Sequence, residues 1–480
     1  MDRNSSFIKK ELVYVDVSYQ KPASQSSFSI WSTSNNESAN ALSGPLPSSF
    51  SFHTDREINP WWVVDLMGVF PIDFIRVFNR QDAEFGRART LKIEVSVETN
   101  DEWTTVYSSL DHFDKIPPIT PLELYFESRI YARYVRCSLS GFESLHLAKI
   151  QVFVEVQNFL STAVKFLDRS NSYNIVGHEN SKIRGVEILA NARFGNVLLK
   201  CMNAIIVAEK SGLDYVKICH HELLSLTEPL QIGNITLFPF EKNLPLDCSI
   251  ITGAFFDYAE TPFFPLLAPM DHPNENDYSR VGREIIRPYL LKNININTNI
   301  DTKQLTIHLR SGDIFTGSPD SSGYRQPPLS FYTLIINKML DEDKIDKVLL
   351  VFEDRGNPCI EALEYFLSQK GIAYRNQCGN LSEDLSALID AAHLVFGFGT
   401  FGYAVCRLSS KIQTLFFFYP ELCGRYADIP VIEDVYCISD SRDEYFRAFE
   451  KDWHNLPEQR KAMIEYPEEN LFIKNIKNKY

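Results

Sequence analysis

The period of the hydrophobic residues changes once along this chain, and that change limits what the chain can fold into. Up to about residue 156, apolar residues alternate with polar ones at strand spacing. Ile93-Glu94-Val95-Ser96-Val97 and Tyr134-Val135-Arg136-Cys137-Ser138-Leu139 each turn one face toward a core. No helix-length amphipathic period interrupts the predicted strands Trp62–Leu66, Ile72–Asn79, Leu91–Val97, Trp103–Tyr107, Arg133–Leu139 and Ala148–Val156, so a β-sandwich is expected over residues 10–155. The tandem Trp61 and Trp62 read as core on one face and shielding on the other.

A boundary is expected between residues 156 and 180, after which strand-like apolar runs alternate with helical segments. Predicted strands are Val186–Leu189, Leu305–Leu309, Val348–Phe352, Leu394–Phe398 and Thr414–Phe418; predicted helices are Phe194–Lys210, Leu329–Met339, Cys359–Gln369 and Leu381–Ala392. Such alternation builds parallel sheets with helical crossovers, and about 300 residues suffice for two Rossmann-like units, residues 180–300 and 301–480. Ligands of such sheets lie beyond the carboxyl ends of the strands.

Asp and Glu number 62 against 48 Lys and Arg, a net charge of −14 that argues against general affinity for nucleic acid or anionic membrane. A phosphate-bearing ligand must therefore be held locally. The first ten residues lack the apolar core of a secretory signal, and the longest apolar runs are far too short to span a bilayer, so a cytoplasmic protein is expected. Nine cysteines, an odd number without a CxxC pair, suggest free thiols rather than a disulfide framework or a zinc site.

In the first third, Phe52-His53-Thr54-Asp55, Asn59-Pro60-Trp61-Trp62-Val63-Val64-Asp65-Leu66, Phe78-Asn79-Arg80-Gln81-Asp82, Ala132-Arg133-Tyr134-Val135-Arg136 and Leu145-His146-Leu147 stand in order. Together they resemble the discoidin-like, galactose-binding-like jelly rolls, and among these the fucose-binding F-type lectins. The sugar motif of those lectins is a His, 26 residues, then Arg-x-Asp and a later Arg; here His53 is followed by the 26 residues 54–79, then Arg80, Asp82 and Arg87. The resemblance implies that these four hold a sugar, with guanidinium forks and imidazole donating to hydroxyls and Asp82 orienting an arginine. A plain Arg80–Asp82 loop brace is the alternative. The family's calcium loop is here Asn40-Ala41-Leu42-Ser43-Gly44-Pro45, and Lys149 stands near the closing strand. The carboxylates that calcium needs are lost, so no metal is expected. Ala83 and Glu84 replace the family's adjacent cysteines, which leaves fucose and galactose both open.

The later region carries Thr306-Ile307-His308-Leu309-Arg310-Ser311-Gly312-Asp313-Ile314, where His308 and Arg310 point to one side near a strand's carboxyl end. This resembles the His-x-Arg-x-Gly-Asp motif of the fucosyltransferase superfamily that makes α1,2 and α1,6 linkages, whose GT-B-like pair of Rossmann-like domains is the fold implied. By that resemblance Arg310 grips the donor pyrophosphate, Arg310 and Asp313 are catalytic, and His308 belongs to the donor site. Asn191-Ala192-Arg193-Phe194-Gly195-Asn196 resembles the family's Gly-Arg-Phe-Gly-Asn-Gln loop and adds Gly195 and Asn196. Phe398-Gly399-Thr400-Phe401-Gly402 resembles its small-hydroxyl-Phe element and adds Thr400 and Phe401. Asp354 is the candidate for guanine recognition, with Glu353 as the alternative. Asp384 stands where relatives have an acid, but a helix-start carboxylate is the plainer reading. Ser311 departs from the second arginine of many relatives, and a structural Arg310–Asp313 turn remains open.

The implied activity is inverting transfer of fucose from GDP-fucose, a substrate rather than a cofactor, to a glycan hydroxyl, without a metal because an arginine clamp replaces an Asp-x-Asp site. The partners implied are the nucleotide sugar and a glycan acceptor. Asp257, Glu260 and Asp313 are candidates for the general base, and Ser318–Pro328, with Tyr324 and Arg325, for a closing loop. Two alternatives stand beside this: a non-catalytic, lectin-like carbohydrate-binding protein with a degenerate transferase domain, and a transferase for another nucleotide sugar.

Overall fold

The computed structural model describes residues 14–477 except 33–36, 81, 99–101, 110–119, 168–172, 178–180, 190–192, 225, 246–247, 254, 256–273, 292–293, 295–299, 317–325, 419–425, 441–443 and 448–452. Asp257, Glu260, Tyr324 and Arg325, and most of 318–328, lie outside the described residues.

The N-terminal region is the expected β-sandwich. An eight-stranded sheet runs in the order Tyr14–Asp16, His146–Glu155, Trp61–Asn79, Leu122–Ser138, Lys92–Ser96, Thr104–Ser108, with Ala23–Gln25 and Phe52–His53 attached. Two strands expected around residues 62–79 are one strand of 19 residues. Its pairing with Leu122–Ser138 shifts register between Asp65 and Phe70, where Met67 takes φ of 65° and donates its N–H to Asp65 Oδ1 at 2.8 Å. Such a bulge bends a strand without ending it. Trp62 is fully buried and donates its indole N–H to the Ser38 carbonyl at 2.8 Å.

The expected boundary is a helix, Val156–Leu167, that leaves the strand His146–Glu155 without a linker. Phe159 and Leu160 are fully buried, and Phe159 stacks on Phe70 of the sandwich with ring centroids 6.0 Å apart. On the same helix Gln157 exchanges two hydrogen bonds, both 2.9 Å, with the backbone of Ile183, the first residue of the next sheet's Ile183–Ile188 strand. The joint is thus clamped from both sides.

Two α/β sheets follow. In the first, Ile183–Ile188 is flanked by Tyr215–Lys217, then Ile235–Phe238, on one side and Ser249–Gly253 on the other, all parallel. In the second, Gln304–Leu309 is central: Lys347–Phe352 and Ala373–Gln377 extend one way, His393–Phe396, Thr414–Phe418 and Asp434–Asp440 the other, and only Leu471–Asn475 is antiparallel. In both sheets the parallel strands begin centrally, run to one side and return to the opposite side; in the first sheet Tyr173–Val176 and Leu230–Ile232 add antiparallel at the two edges. This doubly wound order opens a crevice beside the first strand's carboxyl end, where the connections diverge. The helices expected at Leu329, Cys359 and Leu381 form with ends moved by one to three residues, as Leu329–Asp341, Cys359–Lys370 and Leu381–Ile389.

Among the described residues no helix is long and apolar enough to cross a membrane. Among the described residues the eight cysteines form no disulfide with one another, and seven of them are buried.

Candidate functional site

In the sandwich, His53 lies within electrostatic reach of Arg80 and Arg87, and Asp82 pairs with Arg80. Arg80 is 7% exposed and forks onto Asp82, with Nε to Oδ1 at 2.7 Å and Nη2 to Oδ2 at 2.8 Å, while its guanidinium lies 4.9 Å from the Phe50 ring centroid. That pairing holds the Asp82 carboxyl down at about 2. Arg87 is looser, 3.3 Å from Glu84 and 3.6 Å from Glu143.

His53 corrects one expectation. Its Nδ1 lies 2.7 Å from the Thr54 carbonyl, so that nitrogen carries the proton. Burial and the two arginines lower its pKa, keeping the ring neutral, so Nε2 accepts a hydrogen bond rather than donating one. Sequence reasoning missed Phe50 and the role of His146, whose ring lies 5.1 Å from that of His53 across the strand pair. His146 is fully enclosed, neither ring nitrogen has a hydrogen-bond partner among the described residues, and burial pushes its pKa down to about 3.

The loop Asn40–Pro45 does not fit calcium. Lys149 Nζ donates to the Gly44 carbonyl at 2.5 Å, so a tethered ammonium takes an oxygen that a cation would need.

The second site lies in the crevice between the α/β sheets. Arg193, Gly195, His308, Arg310 and Phe401 line both a cavity of about 480 Å³ and a narrow extension of about 50 Å³ bordered by Asn196 and Gly397–Gly402. His308, Arg310, Gly195, Asn196, Thr400 and Phe401 are therefore assembled from three distant segments. Gly195 is required by this approach: a Cβ there would stand 2.7 Å from Phe401 Cα. Thr400 donates its hydroxyl to Asn196 Oδ1, tying together the first turns of Phe194–Lys210 and Thr400–Leu408. Neither helix has a side-chain cap, so two N-termini present backbone N–H groups to the same narrow space.

Arg310 donates Nη2 to Asp313 Oδ1 at 2.7 Å and lies 3.6 Å from Glu353. Arg193 reaches the same oxygens from the other sheet, 2.7 Å from Asp313 Oδ1 and 3.7 Å from Glu353. Arg193 supplies a second guanidinium from across the crevice. The Arg310–Asp313 turn pair expected on the plainer reading is thus present, within the cavity's own charge cluster. Asp313, one of the general-base candidates, is paired with both arginines. His308, between Phe396 and Phe401 at 5.4 and 5.3 Å, is neutral, its pKa pushed down to about 3 by burial and Arg310.

Asp354 does not face the cavity. Its Oδ1 accepts from the Ser311 hydroxyl and from the N–H groups of Gly356 at 2.7 Å and Gly312 at 3.3 Å, bonds that hold its pKa below the usual range. Glu353 and Asp384 line the cavity instead. Asp384 is 9% exposed, and burial raises its pKa. Behind the crevice, Arg407 is buried in a bidentate pair with Glu275, at 3.0 and 2.7 Å, between the rings of Tyr278 and Tyr403. That pair anchors the helix whose N-terminus faces the cavity.

With the sandwich and its arginine cluster in view, comparison bears on the class of the first region: residues 22–146 match the F5/8 type C domain. The chain is similar to the fucolectin of Anguilla anguilla, 28% identical over 131 residues that make up 25% of this chain and 78% of the fucolectin. Among solved structures it is similar to a mutant lectin binding domain of Lectinolysin complexed with Lewis b, with 26% identity, 30% of this chain and 98% of that one covered, and a TM-score of 0.26. A Streptococcus pneumoniae fucose binding module matches at 24% identity over 29% of this chain and 97% of its own, TM-score 0.25.

Proposed function

We propose that this protein is an inverting glycosyltransferase that moves fucose from GDP-fucose to a glycan hydroxyl, and that its F5/8 type C domain binds a fucose-containing glycan. The observation that carries the transfer reading is the convergence of Arg310, Arg193 and two uncapped helix N-termini on one cavity. A departing diphosphate needs its growing charge stabilised as the anomeric bond breaks, and preorganised guanidinium and N–H groups do this without reorganising. That positive charge comes from the chain, so the transfer is proposed to need no metal. The enclosed Asp384 carboxylate is the group offered to guanine N1–H and N2–H, with Glu353 near the ribose-phosphate side. Supporting the sugar reading are the His53–Arg80–Asp82–Arg87 cluster and the likeness to fucolectin.

One observation favours a second reading, a carbohydrate-binding protein without turnover: both cavity arginines are already paired with Asp313 and Glu353. Calorimetric titration with GDP, UDP and fucose, in EDTA, separates these. The transferase reading expects GDP binding that is lost in Arg310→Ala, no UDP binding, and fucose binding lost only in Arg80→Ala. Fucose binding without any GDP binding would leave the second reading standing.

A further inference from the structure

We propose that the acceptor occupies a second cavity, adjoining the nucleotide site, and that Glu222 takes the proton of its attacking hydroxyl; this rests on the donor reading above. A cavity of about 380 Å³ is lined by Cys219, His220, Phe240 and Glu241 among others, and shares His221 and Glu222 with the cavity of about 480 Å³. Its two loops leave the carboxyl ends of the neighbouring parallel strands Tyr215–Lys217 and Ile235–Phe238, the end at which ligands of such sheets bind. Phe240 is 52% exposed and offers a face for the C–H side of a sugar, while His220 and Glu241, 3.8 Å apart, offer polar edges for hydroxyls.

Among the described carboxylates, Glu222 is the one that lines both cavities. Asp313 is held by two arginines, and Asp354 by Ser311 and backbone N–H groups. His221 accepts the Leu223 N–H on Nδ1 at 3.2 Å, so its neutral ring carries the proton on Nε2 and has no basic nitrogen left. Its ring packs 4.7 Å from that of Phe194, which fixes it as a positioning residue. Glu222 is an exposed carboxylate at the junction of the two cavities, and no residue among those described hydrogen-bonds or ion-pairs with it. In the step itself, the acceptor oxygen gives its proton to the Glu222 carboxylate and forms a bond to the anomeric carbon. The bond from that carbon to the β-phosphate oxygen breaks, and its electron pair leaves with GDP.

The test uses the full chain, calorimetry with GDP, and release of GDP from GDP-fucose with water and with lactose as acceptors. In Glu222→Gln, GDP affinity is expected to stay within about two-fold of wild type while GDP release falls about 10²–10⁴-fold. In Glu222→Ala, added formate restores part of the rate, which a merely structural role would not allow. Phe240→Ala is expected to raise KM for lactose with kcat retained. If wild type binds no GDP, the donor reading fails and this inference with it. Turnover by Glu222→Gln at the wild-type rate, parallel loss of its GDP affinity, or a wild type that binds GDP but releases none from GDP-fucose would each overturn the assignment of Glu222.

Discussion

Both candidate sites are built around arginines paired to carboxylates, and they use those pairs in opposite ways. In the sandwich, Asp82 takes both prongs of one guanidinium and Phe50 supports its face, so Arg80 is fixed before a ligand arrives. In the crevice, Arg310 and Arg193 share one oxygen of Asp313, and Glu353 stands 3.6 and 3.7 Å away. The first arrangement suits a neutral ligand that needs aimed donors. The second suits an anion, which can take over guanidinium groups that the carboxylates hold in place. On the proposed function, the same residue type serves direction in one site and charge in the other.

The largest separation of the two sites should come from Arg407→Ala. Removing one partner of a buried ion pair costs about 3–5 kcal/mol, so urea unfolding should show a weakened α/β region and GDP binding should vanish, while fucose binding persists. Loss of fucose binding as well would mean that the two regions do not fail independently. Arg310→Ala should weaken capture of the departing diphosphate, lowering turnover by about 10²–10³-fold with unfolding unchanged.

A sharper comparison comes from removing the carboxylate alone. Asp82→Asn should weaken fucose binding by about ten-fold, because a buried guanidinium loses its charged partner. Asp313→Asn should leave GDP affinity unchanged or raise it, because the arginines are freed for phosphate. If both variants weaken binding equally, the proposed difference between direction and charge is wrong. The smallest expected effect is on stability against pH. His146 in the sandwich and His308 in the crevice are both pushed down to about 3, whereas an unfolded histidine titrates near ~6.5. The unfolded chain then takes up more protons in the window from about 6.5 down to about 3, so Tm should fall as pH falls through it and be unaffected by these groups above it. His146→Gln should flatten that slope.

Much of this was legible in the sequence. The change of period marked the sandwich and the α/β part, and the spacing from His53 to Arg87 and the order of the three crevice segments named most of the lining. What stayed hidden depends on where side chains turn. Glu353 and Asp354 are neighbours at a strand end, and no linear pattern says that the second bends back to Ser311 while the first faces the cavity. The apolar face of the helix Val156–Leu167 is legible from Val156, Phe159, Leu160, Val164 and Leu167 at helical spacing, but the helix follows a strand-like run with no break residue to mark its start. Arg193 was visible in its loop, but its partnership with Arg310 needs the two sheets brought together, and so does the position of Glu222.

That helix also determines how the two sites can cooperate. A flexible tether averages over many separations and helps any acceptor long enough to reach. A joint packed on Phe70 and bonded to Ile183 permits one separation, so the sandwich acts as a ruler. On the proposed function, a glycan gains from the sandwich only when the distance from its bound sugar to its reactive hydroxyl equals the span between the sites, and chain length becomes a criterion of selection.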